Sequence, residues 1–264
     1  MSARGVADVR LNRPDKMNAL DPAMFRALVD TADALAADPS LRAVVLSGEG
    51  RAFCAGLDFA SFQAMAGTGG DGNAGGRALA EVPEGAITHL GQQAVHGWTT
   101  LAVPVIAAVH GHALGGGIQL ALGADIRFVA PDAVLSVLEV RWGLVPDMTG
   151  TQTLVSLVGL DVAKELTFTG RRVSGDEAVR LGLATHLADD PRAEALALAE
   201  EIAGQSPDAV RAAKRLLNQA PKVSYAEGFA AERAEIARLI GSPNQVEAVM
   251  AAFEKRPPRF TDPA

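Results

Sequence analysis

Cysteine and aromatic side chains are scarce in this 264-residue chain, which has one Cys, one Tyr, two Trp and nine Phe. A lone thiol excludes an internal disulfide and fits a reducing compartment, so a cytoplasmic protein is expected. With aromatics at 5%, the interior has to be filled by Ala, Val and Leu. No apolar run approaches the length of a membrane span, and the N-terminus lacks a basic stretch followed by an apolar one. No membrane partner is expected. Positive charge is also short: 24 Lys and Arg face 31 Asp and Glu, a formal net charge of −7, which argues against nucleic acid as a partner. No spacing of His, Cys and carboxylates suits a metal, so none is expected. Neither nucleotide-loop signature occurs: no Gly-Lys-Ser/Thr follows the glycine run, and no Gly-x-Gly-x-x-Gly follows the first strand.

What is present is a chain that is 48% hydrophobic, enough for one sizeable core. Short apolar segments at 6–11, 44–46, 105–109, 126–129 and 134–137 predict strands that alternate with helices, hence an α/β core. Asp21-Pro22 predicts a helix start running toward Ala37. From about Leu154 the chain reads as mostly helical. Segments 190–203, 207–219, 223–240 and 243–254 carry apolar residues at three- and four-residue steps. The stretch 67–76, Gly-Thr-Gly-Gly-Asp-Gly-Asn-Ala-Gly-Gly, cannot pack a core and reads as a surface insertion or a substrate lid.

The most informative segment is 105–120. An apolar strand, Val105 to Val109, runs through a small polar turn into Gly115, Gly116 and Gly117 and then an Ala/Leu-rich helix. Backbone without Cβ approaches a ligand closely, and the first N–H groups of a helix have no intrahelical partner. Such donors suit an oxygen that becomes negative during reaction. Tight strand–helix packing is the plain alternative for the same glycines. A second turn of this kind follows the strand at 44–46, where Phe53-Cys54-Ala55-Gly56 leads to Leu57 and Asp58. Asp58 is placed to cap a helix over 59–65.

With these pieces in order, the chain resembles the enoyl-CoA hydratase/isomerase (crotonase) superfamily. The resemblance rests on Leu11-Asn12-Arg13-Pro14 with Asn18-Ala19-Leu20, on Ala52 through Asp58, on Gly111 to Gly117, on Ala124-Asp125-Ile126-Arg127 and on Gly143 through Gln152. It implies a crotonase-like α/β spiral of ββα units over 1–190, with a helical C-terminal region over 191–264 for oligomerisation and pocket closure. It also implies a homotrimer or a hexamer of two trimers. The substrate would be an acyl-CoA thioester, with coenzyme A arriving as part of it and no separate cofactor. The backbone N–H groups of Leu57 and Gly116 would bind the thioester oxygen as it becomes an enolate. Lys16, Ala19, Ala55, Gly56, Asp58, Gln119 and Lys255 fall at substrate-binding positions. The basic groups Arg13 with Lys16 and Lys255-Arg256 with Arg259 offset the overall negative charge locally, or are simply solvated surface.

The carboxylates decide which reaction is expected. Hydratases of the superfamily use two glutamates; the second corresponds to Glu139, but the first position here is Gln119. An amide orients water yet neither takes nor gives a proton at neutral pH. Asp147 stands where hydratases have glycine and dienoyl-CoA isomerases have aspartate, although those isomerases carry an aspartate at the Gln119 position too. Double-bond isomerisation is therefore expected, with Glu139 as main base and Asp147 as its partner. Burial and mutual repulsion should raise at least one of their pKa values. Structural roles are the alternatives: Glu139 pairing with Arg141, and Asp147 capping the helix that opens near Thr151. Hydration by a single glutamate is the runner-up. Hydrolysis or dehalogenation through Asp147 is weakened because such relatives carry tryptophan at the Glu139 position. A non-catalytic acyl-CoA-binding protein is a further alternative. Cys54 reads as packing, and His110 and His112 as satisfying local backbone groups.

Overall fold

The computed structural model describes residues 1–58 and 81–263. The glycine-rich stretch 67–76 and the helix expected over 59–65 lie outside the described residues. Strands β1 (Val6–Leu11), β2 (Ala43–Gly48), β3 (Val105–Val109), β5 (Ile126–Val129) and β8 (His186–Leu187) form one five-stranded sheet in the order β1-β2-β3-β5-β8, all parallel. A smaller sheet joins β4 (His112–Leu114) and β6 (Val134–Ser136) in parallel with β7 (Val173–Ser174) antiparallel. Each turn of chain gives one strand to each layer. β3 is followed by β4, β5 by β6, and β2 by Cys54, which bridges to Ala113 of β4. That repetition is the ββα spiral.

The centre of the sheet, β2 and β3, is apolar on both faces, as a parallel sheet covered on both sides must be. In β2, Val44 and Leu46 point to the main core, shared with Leu20, Phe53, Trp98 and Ile118. Ala43 and Val45 point the other way, with Val6, Ile106, Ala108 and Phe128, onto Ala195 and Ala199 of the helix Pro191–Ala203. That helix is the cover of the sheet's outer face. It is the first helix of the region beyond residue 190, and it packs directly on the spiral's sheet.

Ten α-helices are present among the described residues: α1 (Pro22–Ala36), α2 (Leu90–Thr100), α3 (Gly116–Leu122), α4 (Gly150–Val158), α5 (Leu160–Thr169), α6 (Gly175–Leu181), α7 (Pro191–Ala203), α8 (Pro207–Gln219), α9 (Tyr225–Leu239) and α10 (Pro243–Phe253). Asp21 caps α1 by accepting from Met24 N, with Pro22 at the first helical position, as its sequence predicts. α2 is capped by a histidine: His89 Nδ1 accepts from the N–H groups of Gly91 and Gln92, and Gln92 reaches back to His89 N. Helix α8 is tied under the sheet by Lys214, whose buried ammonium donates to Val103 O and to Asp125. Burial holds the Lys214 pKa below its ordinary value, partly offset by Asp125. No described helix is long and apolar enough to cross a membrane.

Candidate active site

The site lies where the two glycine turns meet. Cys54 N donates to His112 O and Leu114 N donates back to Cys54 O, so the turn after β2 is stitched to β4. Leu20 completes the first turn by donating to Gly56 O and accepting from Asp58 N. These bonds leave the Leu57 amide facing away from the strand pairing. The second turn is set by Gly115, which takes φ +53 and donates to Ser136 O, releasing Gly116 to open α3. Neither the Leu57 nor the Gly116 amide makes a hydrogen bond to a described residue.

Glycine is required at the contact between the turns. At Gly56, with φ +88, a Cβ would stand 2.6 Å from Leu114 O and 3.7 Å from Gly116 N, so the first turn abuts the second amide directly. A Cβ on Gly117 would overlap Cys54 O and sit 2.9 Å from Cys54 C. Cys54 itself is buried, and burial pushes its thiol up to about 12, which fits the packing role expected for it. His110 Nε2 lies 2.9 Å from Gly50 O, also as expected. His112 Nδ1 is buried and has no partner among the described residues, so the expectation for that ring is not met.

Glu139 reaches the same place from the short 3-10 turn Glu139–Trp142. A Cβ on Gly115 would lie 3.4 Å from Glu139 Oε1, which puts this carboxylate beside the Gly115–Gly116 turn. The residue is 8% exposed. Oε1 accepts from Gln119 Nε2 at 2.6 Å, and Oε2 is buried with no hydrogen-bond partner among the described residues. Burial raises the Glu139 pKa above the ordinary carboxylate range; the Gln119 bond opposes this and the charge of Asp147 adds to it. Glu139 Oε1 is bonded to Gln119 and Oε2 to no described residue, so the pairing with Arg141 is not formed.

Asp147 differs from its partner. It is exposed and does not share the burial of Glu139. Nor does it cap α4, whose N-cap is Thr149 and has no side-chain capping bond. Gln119 is buried and fully directed: its Oε1 accepts from Met148 N (2.8 Å) and Gly150 N (3.0 Å). No lone pair is left on that oxygen for a water. This pairing, across 29 to 31 residues, was not legible in the sequence, where Gln119 reads only as a substrate-side amide.

The remaining substrate-side positions fall in two groups. Ala19, Ala55 and Gly56 lie along the first turn, where Ala55 N donates to Met17 O. Asp58 accepts from Arg13 Nη2 at 3.1 Å, and Arg13 also donates to Ala19 O. Arg256 is likewise consumed by Glu247 and Glu254. The ammonium groups of Lys16 and Lys255 are exposed and make no hydrogen bond or ion pair to a described residue. Nothing ties Lys255, which follows α10 in the left-handed region at φ +56, to the two turns. No group of three or more metal-ligating side chains occurs among the described residues.

A parallel spiral with two converging glycine turns and a buried carboxylate beside them defines the crotonase fold. An enoyl-CoA hydratase from Bacillus anthracis superposes with a TM-score of 0.88 at 32% identity, covering 98% of this chain and 96% of that one. The enoyl-CoA hydratase/isomerase family profile matches residues 2–263, and the chain belongs to that family. The mitochondrial enoyl-CoA hydratase domain-containing protein 2 of Homo sapiens is 35% identical, covering 97% of this chain and 86% of that protein. The peroxisomal Delta(3,5)-Delta(2,4)-dienoyl-CoA isomerase of Arabidopsis thaliana is also 35% identical, covering 95% and 90%.

Proposed function

We propose that this enzyme shifts the double bond of unsaturated acyl-CoA thioesters, with Glu139 Oε2 carrying the proton. The carbon next to the thioester loses its proton to Oε2, and the electron pair passes to the thioester oxygen. The Leu57 and Gly116 amides hold that oxygen as it becomes negative. Glu139 then returns the proton two carbons farther along, leaving the conjugated 2-enoyl ester. Lys16 and Lys255 meet the phosphates of coenzyme A, and Ala19, Ala55, Gly56 and Asp58 shape the entrance. Asp147, at the exposed rim, assists proton return on longer conjugated chains.

The observation that carries this reading is the inequality of the two candidate acid–base positions. Glu139 has a buried oxygen without a partner, whereas position 119 is an amide with both ends engaged. Hydration needs water activated by a second proton-transfer group, typically worth about a hundred- to ten-thousandfold. Hydration by Glu139 alone is the second reading, favoured by the hydratase among the structural relatives. A turnover screen of 3-enoyl-, 3,5-dienoyl- and 2-enoyl-CoA, with Asp147→Asn in parallel, separates the two. The 3-enoyl and dienoyl esters should turn over, and rapid 3-hydroxyacyl-CoA formation from the 2-enoyl ester would reverse the assignment. The base must be ionised, and burial holds its pKa high. Activity should therefore fall on acidification at a pH above the roughly 4.3 of an ordinary glutamate.

We also propose a homotrimer, or a hexamer of two trimers. Phe229, Ile236 and Val249 of α9 and α10 are exposed, and Phe253 is 80% exposed, which leaves apolar area for a second copy. Sedimentation at a monomer's mass across micromolar concentrations would remove this proposal.

A further inference from the structure

Gln119 is held by an unusual piece of backbone. The N–H groups of Met148 and Gly150 converge on its Oε1 because Thr149, between them, takes φ +70. A β-branched residue in the left-handed region is strained, and such strain persists only where the surroundings over-determine it. Two amides flanking such a residue form a small concave donor pair, a nest. Gly150 is needed there, since a Cβ would stand 2.5 Å from Gln119 Oε1 and 2.9 Å from its Cδ. With the oxygen captured, the other end of the amide has a fixed direction, and it donates to Glu139 Oε1 at 2.6 Å.

We propose that Gln119, locked by the Met148–Thr149–Gly150 nest, is a positioning residue that pins Glu139 Oε1 and so selects Oε2 as the oxygen that moves the proton. A charged acceptor needs a donor, and the nest ensures that position 119 presents its N–H rather than its carbonyl. The amide cannot flip, because a carbonyl facing Oε1 would lose both nest bonds and repel the carboxylate. The nest and the glutamate thus act through one side chain. This inference rests on Glu139 being the base, but it concerns the carboxylate before any substrate arrives.

The test reads Glu139 directly, without substrate, so its outcome is independent of the turnover screen. Protein carrying 13C at the glutamate carboxyls is titrated by NMR, and the Glu139 signal is identified by its loss in Glu139→Gln. The nearest atoms to a Cβ on Gly150 all belong to the Gln119 amide arm, so Gly150→Ala should drive that amide out of the nest. The Glu139 midpoint should then rise by about one to two pH units, the worth of a hydrogen bond to a charged group. Gln119→Met should raise it similarly, and the double variant should go no further than the larger single change. Unchanged midpoints, or shifts that add in the double variant, would overturn the proposal. Gln119→Glu keeps an acceptor for both nest amides and guards against a folding failure. It should give two carboxyls that share one proton and titrate in widely separated steps, and two independent ordinary titrations would equally overturn the proposal.

Discussion

Glu139→Gln is expected to lose a hundred- to ten-thousandfold in kcat, about the contribution of a positioned general base, while the protein becomes no less stable. The two effects share one cause. Burial without full pairing disfavours the ionised carboxylate, so the folded chain binds the Glu139 proton more tightly than the unfolded chain does. Above both pKa values the ionised group therefore works against folding; that penalty shrinks as the pH falls below the raised folded value and is gone below the unfolded one. A neutral amide of the same shape removes the penalty at pH 7 and still accepts from Gln119 Nε2. Stopped turnover assays and urea midpoints at pH 7 check both halves. Activity within tenfold of wild type would place the base elsewhere, and a lowered midpoint would mean that the carboxylate stabilises the fold.

The second large effect belongs to Gly117. An added Cβ would overlap the Cys54 carbonyl, which is backbone and has no rotamer to change. The start of α3 must then move away from the first turn, and the Leu57 and Gly116 amides separate. A drop of roughly a hundred- to a thousandfold in kcat is expected, the measured worth of one such donor. Overpacking should add about 1–3 kcal/mol of destabilisation. Gly116→Ala is the control. Its Cβ meets Leu20 Cδ1 and Met148 Sδ, both at 2.9 Å and both on side chains able to shift. The control should lose far less activity. Equal losses in the two variants would show that spacing between the turns does not set the rate.

Much of this architecture can be read before folding because the relevant signals are local. Asp21-Pro22 and Ser242-Pro243 mark helix starts by chemistry that acts within three residues, and the structure begins α1 and α10 there. The strands 44–46 and 105–109 are continuous apolar runs because both faces of the sheet are covered there. Helix α2 has no such marker. It begins at a histidine and contains Gly91 and Gly97, and it forms because Ala94, Val95 and Trp98 are buried in the core. Strand β4 is three residues long and reads as a turn until β6 pairs with it. The glycine turns and Glu139 are visible as motifs, whereas the state of Gln119 depends on a nest about thirty residues away and on a strained Thr149. The exposed setting of Asp147 was equally hidden, because its neighbours Pro146 and Met148 are both buried.

Cys54 is the chain's one sulfhydryl, and it sits inside the seam that joins the two turns. A disulfide reagent can label it only when that seam parts. Its labelling rate is therefore an internal clock for transient opening of the catalytic scaffold, free of any background from other thiols.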